Sequence, residues 1–123
     1  MATRALTKAT LPPTGEYDGV AIVSWAGLTK ATDDDGAPAD LPAWRPLGVQ
    51  VTGVPGVGGH VVIEGSIDGT NYATLTDVAG NALDLTAAGV KGIAEPALRY
   101  VRPRITAGDG DTLLAVSIIF RRD

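Results

Sequence analysis

The chain has 123 residues, a formal net charge of −4 and no cysteine. This length fits one domain that buries a core without covalent staples. The missing thiols exclude disulfides, thiolate zinc sites and a cysteine nucleophile, and the acidic balance disfavours nucleic acid, whose phosphates need a positive field. We expect no membrane partner and an unprocessed product, because no apolar run approaches a bilayer span and MATRALTKATLPPTGE lacks a signal peptide's apolar stretch.

The N-terminal segment shows little periodicity, and Pro12-Pro13 stiffens its middle. We predict an extended arm over residues 1–19, followed by one β domain over residues 20–123. An arm without its own core can become ordered on a neighbouring molecule. Its apolar and basic side chains are the predicted partner contacts, namely Arg4, Leu6, Lys8, Leu11, Pro12 and Pro13.

Apolar alternation then predicts the first strands of the domain. Residues 20–25 form a strand that is apolar on both faces, which favours a position inside a sandwich or against a partner. A long polar loop over residues 28–44 contains three consecutive aspartates, and a second strand covers residues 47–52. Residues 61–75 predict a β-hairpin, because Asp68-Gly69 is a strong turn signal between two strand-like runs.

The last third of the chain predicts three further elements. Residues 86–93 are compatible with one helical turn that begins at Thr86. Pro103 cannot donate to a ladder, so the strand over residues 100–105 is predicted to be an edge strand or to carry a bulge. The final strand, residues 112–121, is apolar on both faces, which predicts a central position or a subunit interface. The predicted oligomer-interface residues are Leu113, Ala115 and Ile119, with Arg102 and Arg104 from the late basic cluster.

Seven or so short strands with regular turn signals predict an all-β fold, an antiparallel β-sandwich with very little helix. Jelly-roll-like and immunoglobulin-like topologies both stay open, because the alternation of apolar and polar residues does not reveal the order of the strands in a sheet.

The sequence offers little for catalysis. His60 is the only histidine, and no G-x-S-x-G elbow is present. The aspartate run at residues 33–35 lacks the alternating order of a calcium loop. The aromatic residues Trp25, Trp44, Tyr72 and Tyr100 could stack on a sugar, although such residues more often belong to a core. We therefore predict no catalytic, metal-binding or cofactor-binding residues and no enzymatic activity.

Two resemblances bear on function. The segments VVIEGSIDGTNYATL and RYVRPRI resemble the phrasing of discoidin-like carbohydrate- and lipid-binding domains, which are β-sandwich jelly rolls. Over most of the chain after the arm, VSWAGLT, EGSIDGTNYATL, GNALDLTAAG and RYVRPRITAGDG resemble, in this order, segments of small virion proteins of tailed phages.

The second resemblance implies a head decoration, or cement, protein. Such a protein is a β-sandwich made in the host cytoplasm that oligomerises, commonly as a trimer, and binds the outside of the assembled capsid. There it would clamp neighbouring subunits of the major capsid protein. No functional residue is carried over, because these proteins have contact surfaces rather than a catalytic motif. The alternatives are a carbohydrate-binding module and another virion component, such as a tail or head-fibre protein.

Overall fold

The computed structural model describes residues 3–10, 19–30, 35–40, 44–95 and 98–122. These residues form two β-sheets around one hydrophobic core and contain no helix, which confirms the predicted all-β class. None of the described segments therefore provides a helix that could cross a membrane.

The described residues form twelve strands in the two sheets. In chain order they are β1 (Thr3–Arg4), β2 (Leu6–Thr10), β3 (Val20–Thr29), β4 (Asp35–Gly36), β5 (Ala39–Asp40), β6 (Trp44–Val54), β7 (His60–Ser66), β8 (Ala73–Thr74), β9 (Asp84–Leu85), β10 (Gly89–Gly92), β11 (Tyr100–Ala107) and β12 (Leu113–Arg122).

The seven-stranded sheet has the order β1-β4-β11-β7-β8, with β5 also pairing with β11 and β9 with β7. The five-stranded sheet has the order β10-β6-β12-β3-β2. All of the registered strand pairs are antiparallel except β1 with β4, which is parallel. The predicted central position of the last strand is confirmed, because β12 lies between β6 and β3.

The core forms where alternate residues of both sheets face each other. One sheet contributes Val61, Ile63, Val101 and Ile105, and the other contributes Val23, Trp25, Val49, Val51, Val116, Ile118 and Phe120. Trp25 is fully buried, and its Nε1 donates a hydrogen bond to the carbonyl oxygen of Ala37 at 2.9 Å. Trp25 is thus a core residue rather than part of a sugar-stacking surface.

Gly36 lies where β4 crosses the core. A Cβ at this position would come within 2.6 Å of Trp25 and of Pro103. We expect Gly36→Ala to lower the free energy of unfolding by about 1–3 kcal/mol, the usual cost of overpacking. Denaturant unfolding measures this loss. Gly110→Ala is the matched control, because nothing lies within 4 Å of its Cβ position; equal stability of the two variants would contradict close packing at Gly36.

The predicted hairpin is confirmed by the pairing of β7 with β8. At its tip, Asp68 Oδ1 accepts hydrogen bonds from the backbone N–H groups of Thr70 and Asn71, both at 2.8 Å. Gly69 adopts φ +78°, which glycine tolerates without strain. These backbone hydrogen bonds, led by that from Asn71, hold the pKa of Asp68 well below its ordinary value of 3.8.

This depressed pKa predicts a local dependence on pH. The hairpin tip gains stability from ionised Asp68 above the ordinary pKa of 3.8 and loses it as the pH falls toward the lower folded-state pKa. We expect Asp68→Asn to speed amide hydrogen exchange at Thr70 and Asn71 near neutral pH, with little change at buried Val61. Unchanged exchange at the two tip amides would contradict the bonding seen at Asp68.

One prediction about the later elements is wrong, and another is met by the second of its two alternatives. The helical turn at Thr86 does not form, because residues 89–92 pair along β6 as strand β10, and this tertiary pairing overrides the weak local signal. The strand that contains Pro103 is not at an edge, because β11 lies between β7 and the short strands β4 and β5. Neither β4 nor β5 has a registered partner at Pro103, so the missing N–H removes no ladder bond there. The other predicted alternative, a bulge, is confirmed, because β11 has one between Ile105 and Ala107.

The predicted loop and arm also contain strands. Strands β4 and β5 lie within the segment predicted as one polar loop. Strands β1 and β2 place residues 3–4 and 6–10 in the two sheets, which differs from a segment outside the domain. Periodicity missed them because Leu6 is the one large apolar residue in the sequence of residues 3–10, and the exposed Thr3, Ala5 and Thr7 give no apolar pattern.

Candidate contact surface

An apolar surface covers the outer side of the five-stranded sheet. Among the described residues, five of the eight exposed large hydrophobic side chains lie in β6, β10 and β12 of this sheet. Val90 is 68% exposed, Leu113 54% and Ile119 38%. We call this surface the contact face, and it comprises Ile22, Leu47, Gln50, Val54, Val90, Leu113, Ala115, Ser117 and Ile119.

The alternation of β12 creates the centre of this face. Leu114, Val116, Ile118 and Phe120 point into the core, so the residues between them point outward. An outward sheet face is normally polar. The exposed leucine and isoleucine of β12 therefore form an apolar surface of the kind that marks interaction sites.

The neighbouring strands complete a shallow depression of about 240 Å³. Ile119 lies opposite Ile22 of β3 on one side and Gly48 of β6 on the other. The missing side chain of Gly48 leaves the space between Ile119 and Val90, which both line the depression. Ser117 of β12 also lines the depression, and its hydroxyl group shares a hydrogen bond of 2.9 Å with that of Ser24 on β3.

Charge is distributed very unevenly around the contact face. The sequences of its five strands contain no aspartate or glutamate, although the chain has 14 of them. The same strands contain five basic residues, Lys8, Arg45, Lys91, Arg121 and Arg122. Arg121 lies opposite Arg45 at one end of the sheet, and the Arg122 guanidinium lies 5.8 Å from the Trp44 ring centre. Of these residues, Arg45 and Arg121 lie on the outward side, whereas Lys8 and Lys91 share the register positions of the buried Val23 and Val49 on the core side. The contact face is thus an apolar surface whose basic margin is its Arg45–Arg121 end, which suits an acidic partner.

The structure brings together three of the residues predicted for an oligomer interface. Leu113, Ala115 and Ile119 follow one another along the outer side of β12. Arg102 and Arg104 lie on β11 of the other sheet, so they do not share this surface.

These two arginines hold a buried carboxylate instead. Glu64 accepts hydrogen bonds from Arg102 Nε at 2.7 Å and from Arg104 Nε at 3.3 Å. Arg102 Nη1 also contacts Asp35 Oδ2 at 3.4 Å, and the Tyr72 ring centre lies 3.8 Å from the guanidinium carbon of Arg102. Burial is the main cause that raises the pKa of Tyr72. The network joins β4, β7 and β11, so its role is to hold the seven-stranded sheet together.

The predicted partner contacts of the N-terminal segment are partly placed. Arg4 lies on β1, and Leu6 lies on β2, where it packs against the core. Lys8 pairs with Val23 in the β2–β3 ladder. Leu11, Pro12 and Pro13 lie outside the described residues.

The remaining candidates for chemistry are dispersed. Trp44 belongs to the five-stranded sheet, whereas Tyr72 covers Arg102 on the seven-stranded sheet. His60 Nδ1 lies 2.9 Å from Asp84 Oδ1 in a half-exposed pair. The described part of the chain contains no group of three or more side chains that could hold a metal ion.

The β-sandwich is shared with a solved structure. The chain is similar to the SPBc2 prophage-derived protein YomS, with a TM-score of 0.57 and 13% sequence identity over 81% of this chain and 94% of that one. At this identity the likeness shows a common fold. Comparisons with protein-family models and with curated proteins gave no match.

Proposed function

We propose that the chain is a non-enzymatic structural protein of a phage virion, a head decoration protein that binds the outside of the assembled capsid. The contact face is the observation that carries this proposal, because it is an exposed apolar surface on a rigid sheet with no acidic residue in its strands. The fold shared with a prophage-derived protein and the sequence resemblance to small virion proteins support the same assignment.

The contact face defines how such a protein would act. Its apolar centre would be buried against subunits of the major capsid protein, and its basic margin would face acidic groups of the shell. Because the protein binds the assembled shell, its binding free energy adds to the stability of the shell by mass action. Attraction between this basic margin and the acidic groups of the shell would speed association, and it would weaken as the salt concentration rises.

Several copies acting together would strengthen this attachment. We propose a homo-oligomer, with a trimer favoured by the sequence resemblance, because linked copies bind a repeating lattice with higher avidity than one copy. The predicted interface residues Leu113, Ala115 and Ile119 lie on the contact face, so a shell subunit and a second copy are alternative occupants of that position.

The test is binding to shells that lack the protein. Purified chain mixed with such shells is expected to co-sediment with them, to saturate at many copies per shell and to bind less tightly as salt rises. Shells that carry bound protein should also unfold at higher temperature. A chain that leaves shells unbound would contradict the proposal, and co-sedimentation with purified tails instead would support the tail or fibre alternative.

A further inference from the structure

The outward side chains of β12 are arranged symmetrically about the midpoint of the strand. Val116 points into the core, and Ala115 and Ser117 lie one position before and after it. Leu113 and Ile119, the two large exposed hydrophobic residues of β12, lie three positions before and after Val116. Reversing the direction of the strand therefore exchanges small residues with small ones and large residues with large ones.

Strand β6 adds a projection and a recess with the same symmetry. Val51 is the Cα partner of Val116, and Gly48 and Val54 lie three positions before and after Val51. Val54 is 57% exposed at one end of the contact face. Gly48 lies beside Ile119 in the depression of about 240 Å³, where it contributes no side chain. Turning a second contact face end for end over the first brings the exposed valine of each over the glycine recess of the other.

The two ends of this strand pair carry opposite charge. Arg121 and Arg45 are Cα partners on the outward side at one end. At the other end, Asp109 and Asp111 occupy the turn before β12, where two carboxylates outweigh the neighbouring Lys30. The ten positions from Asp111 to Arg121 span about 30 Å of extended chain. Two contact faces aligned in the same direction would bring like charges together, whereas the reversed alignment pairs opposite charges.

Hydrogen bonds hold the acidic end in one arrangement. Asp109 Oδ2 accepts the Val57 N–H at 3.0 Å, and Asp109 Oδ1 accepts the Asp111 N–H at 2.9 Å. Thr112 Oγ1 donates to the Pro55 carbonyl at 2.7 Å. The hydrogen bonds to Asp109, led by that from Val57, lower its pKa from the ordinary value of 3.8, so its carboxylate is charged at neutral pH. A prearranged end loses little conformational entropy when a partner covers it.

We propose that the contact face of the free chain is covered by the contact face of a second copy, in a two-fold dimer whose two β12 strands lie antiparallel. The contacts across the axis are Leu113 with Ile119, Val54 with Gly48, and Asp111 with Arg121. Each contact occurs twice, because a two-fold interface uses the same patch on both copies. The core of this interface is apolar and its charged pairs lie at the two ends, as in other protein interfaces.

This dimer needs no shell, so it does not rest on the proposed function. It would shield the apolar contact face until a shell is present. A shell subunit would replace the second copy, because both cover the same surface, and the two associations would compete by mass action. The dimer therefore belongs to the free protein and is separate from the trimer proposed for the shell-bound protein.

Exchanging the charges at the two ends tests the dimer. Sedimentation equilibrium of the purified chain, without shells, should show a dimer whose affinity falls as the salt concentration rises. Asp111→Arg and Arg121→Asp should each weaken the dimer about tenfold, because each places two pairs of like charges across the axis. The variant with both changes should recover the original affinity. A monomer at all concentrations, or a double variant as weak as the single ones, would overturn the dimer.

Arg99→Asp is the matched control for Arg121→Asp. It makes the same change at a side chain that is 52% exposed and lies outside the contact face, so the dimer affinity should stay unchanged. Thermal unfolding confirms that each variant is folded. Shell binding is measured separately with the unmodified chain. A monomer that binds shells removes the dimer and keeps the proposed function, whereas a dimer that leaves shells unbound does the reverse.

Discussion

Ile119→Asp is expected to lower the affinity for shells by about 100-fold or more, because an unpaired carboxylate buried in an apolar interface costs roughly 3 kcal/mol or more. Ile119 lies at the centre of the contact face, opposite Ile22 and Gly48, and is already 38% exposed in the free protein. The outward position means that the variant should fold. Quantitative co-sedimentation with shells gives the affinity, and thermal unfolding confirms the fold.

Ile67→Asp is the matched control for this variant. It makes the same chemical change at a side chain that is 75% exposed, beside the hairpin tip and outside the contact face. We expect it to bind shells as the unmodified chain does. Equal affinities of the Ile119 and Ile67 variants would remove the contact face from the account.

The largest loss of stability is expected from Glu64→Gln. Glu64 is 4% exposed and accepts hydrogen bonds from both Arg102 and Arg104. Removing its charge leaves two arginines without their shared carboxylate. Because Arg104 is 37% exposed and Arg102 keeps Asp35 as a partner, we expect a loss of about 3 kcal/mol, the lower end of the cost of breaking a buried ion pair. Because a domain has only about 5–15 kcal/mol of stability, denaturant unfolding should show a markedly lower midpoint.

Asp40→Asn provides the comparison at the surface. Asp40 Oδ1 also contacts an arginine, Arg99 Nε at 3.2 Å, but both side chains of this pair are about half exposed. Water and salt screen such a pair, so its loss should change stability several-fold less. Similar losses in the two variants would mean that the arginine network of the seven-stranded sheet is not buried in solution.

Local patterns predicted those parts of the fold that depend on neighbours in sequence. The hairpin at Asp68 follows from turn chemistry, and the strands follow from alternation. The apolar residues on both faces of the last strand also predicted its central position. The strands at residues 3–10 were missed because that segment contains one large apolar residue, Leu6, and hence shows no apolar periodicity.

The contact face was only partly predictable for the same reason. Leu113, Ala115 and Ile119 share one strand, so alternation alone groups them. Val90 joins them because β10 pairs with β6 across a long stretch of sequence, which alternation does not encode. The absence of acidic residues becomes visible only when the five strands are known to form one sheet. Late position in the sequence grouped Arg102 and Arg104 with this strand, but the fold places them on the other sheet.

The number of copies per virion tests the central claim most directly. A decoration protein that occupies the repeating sites of the shell should be present in numbers comparable to those of the major capsid protein, by quantitative mass spectrometry of purified particles. It should also remain with heads after tails are removed. A few copies per particle, or recovery with tails alone, would contradict the assignment to the capsid surface.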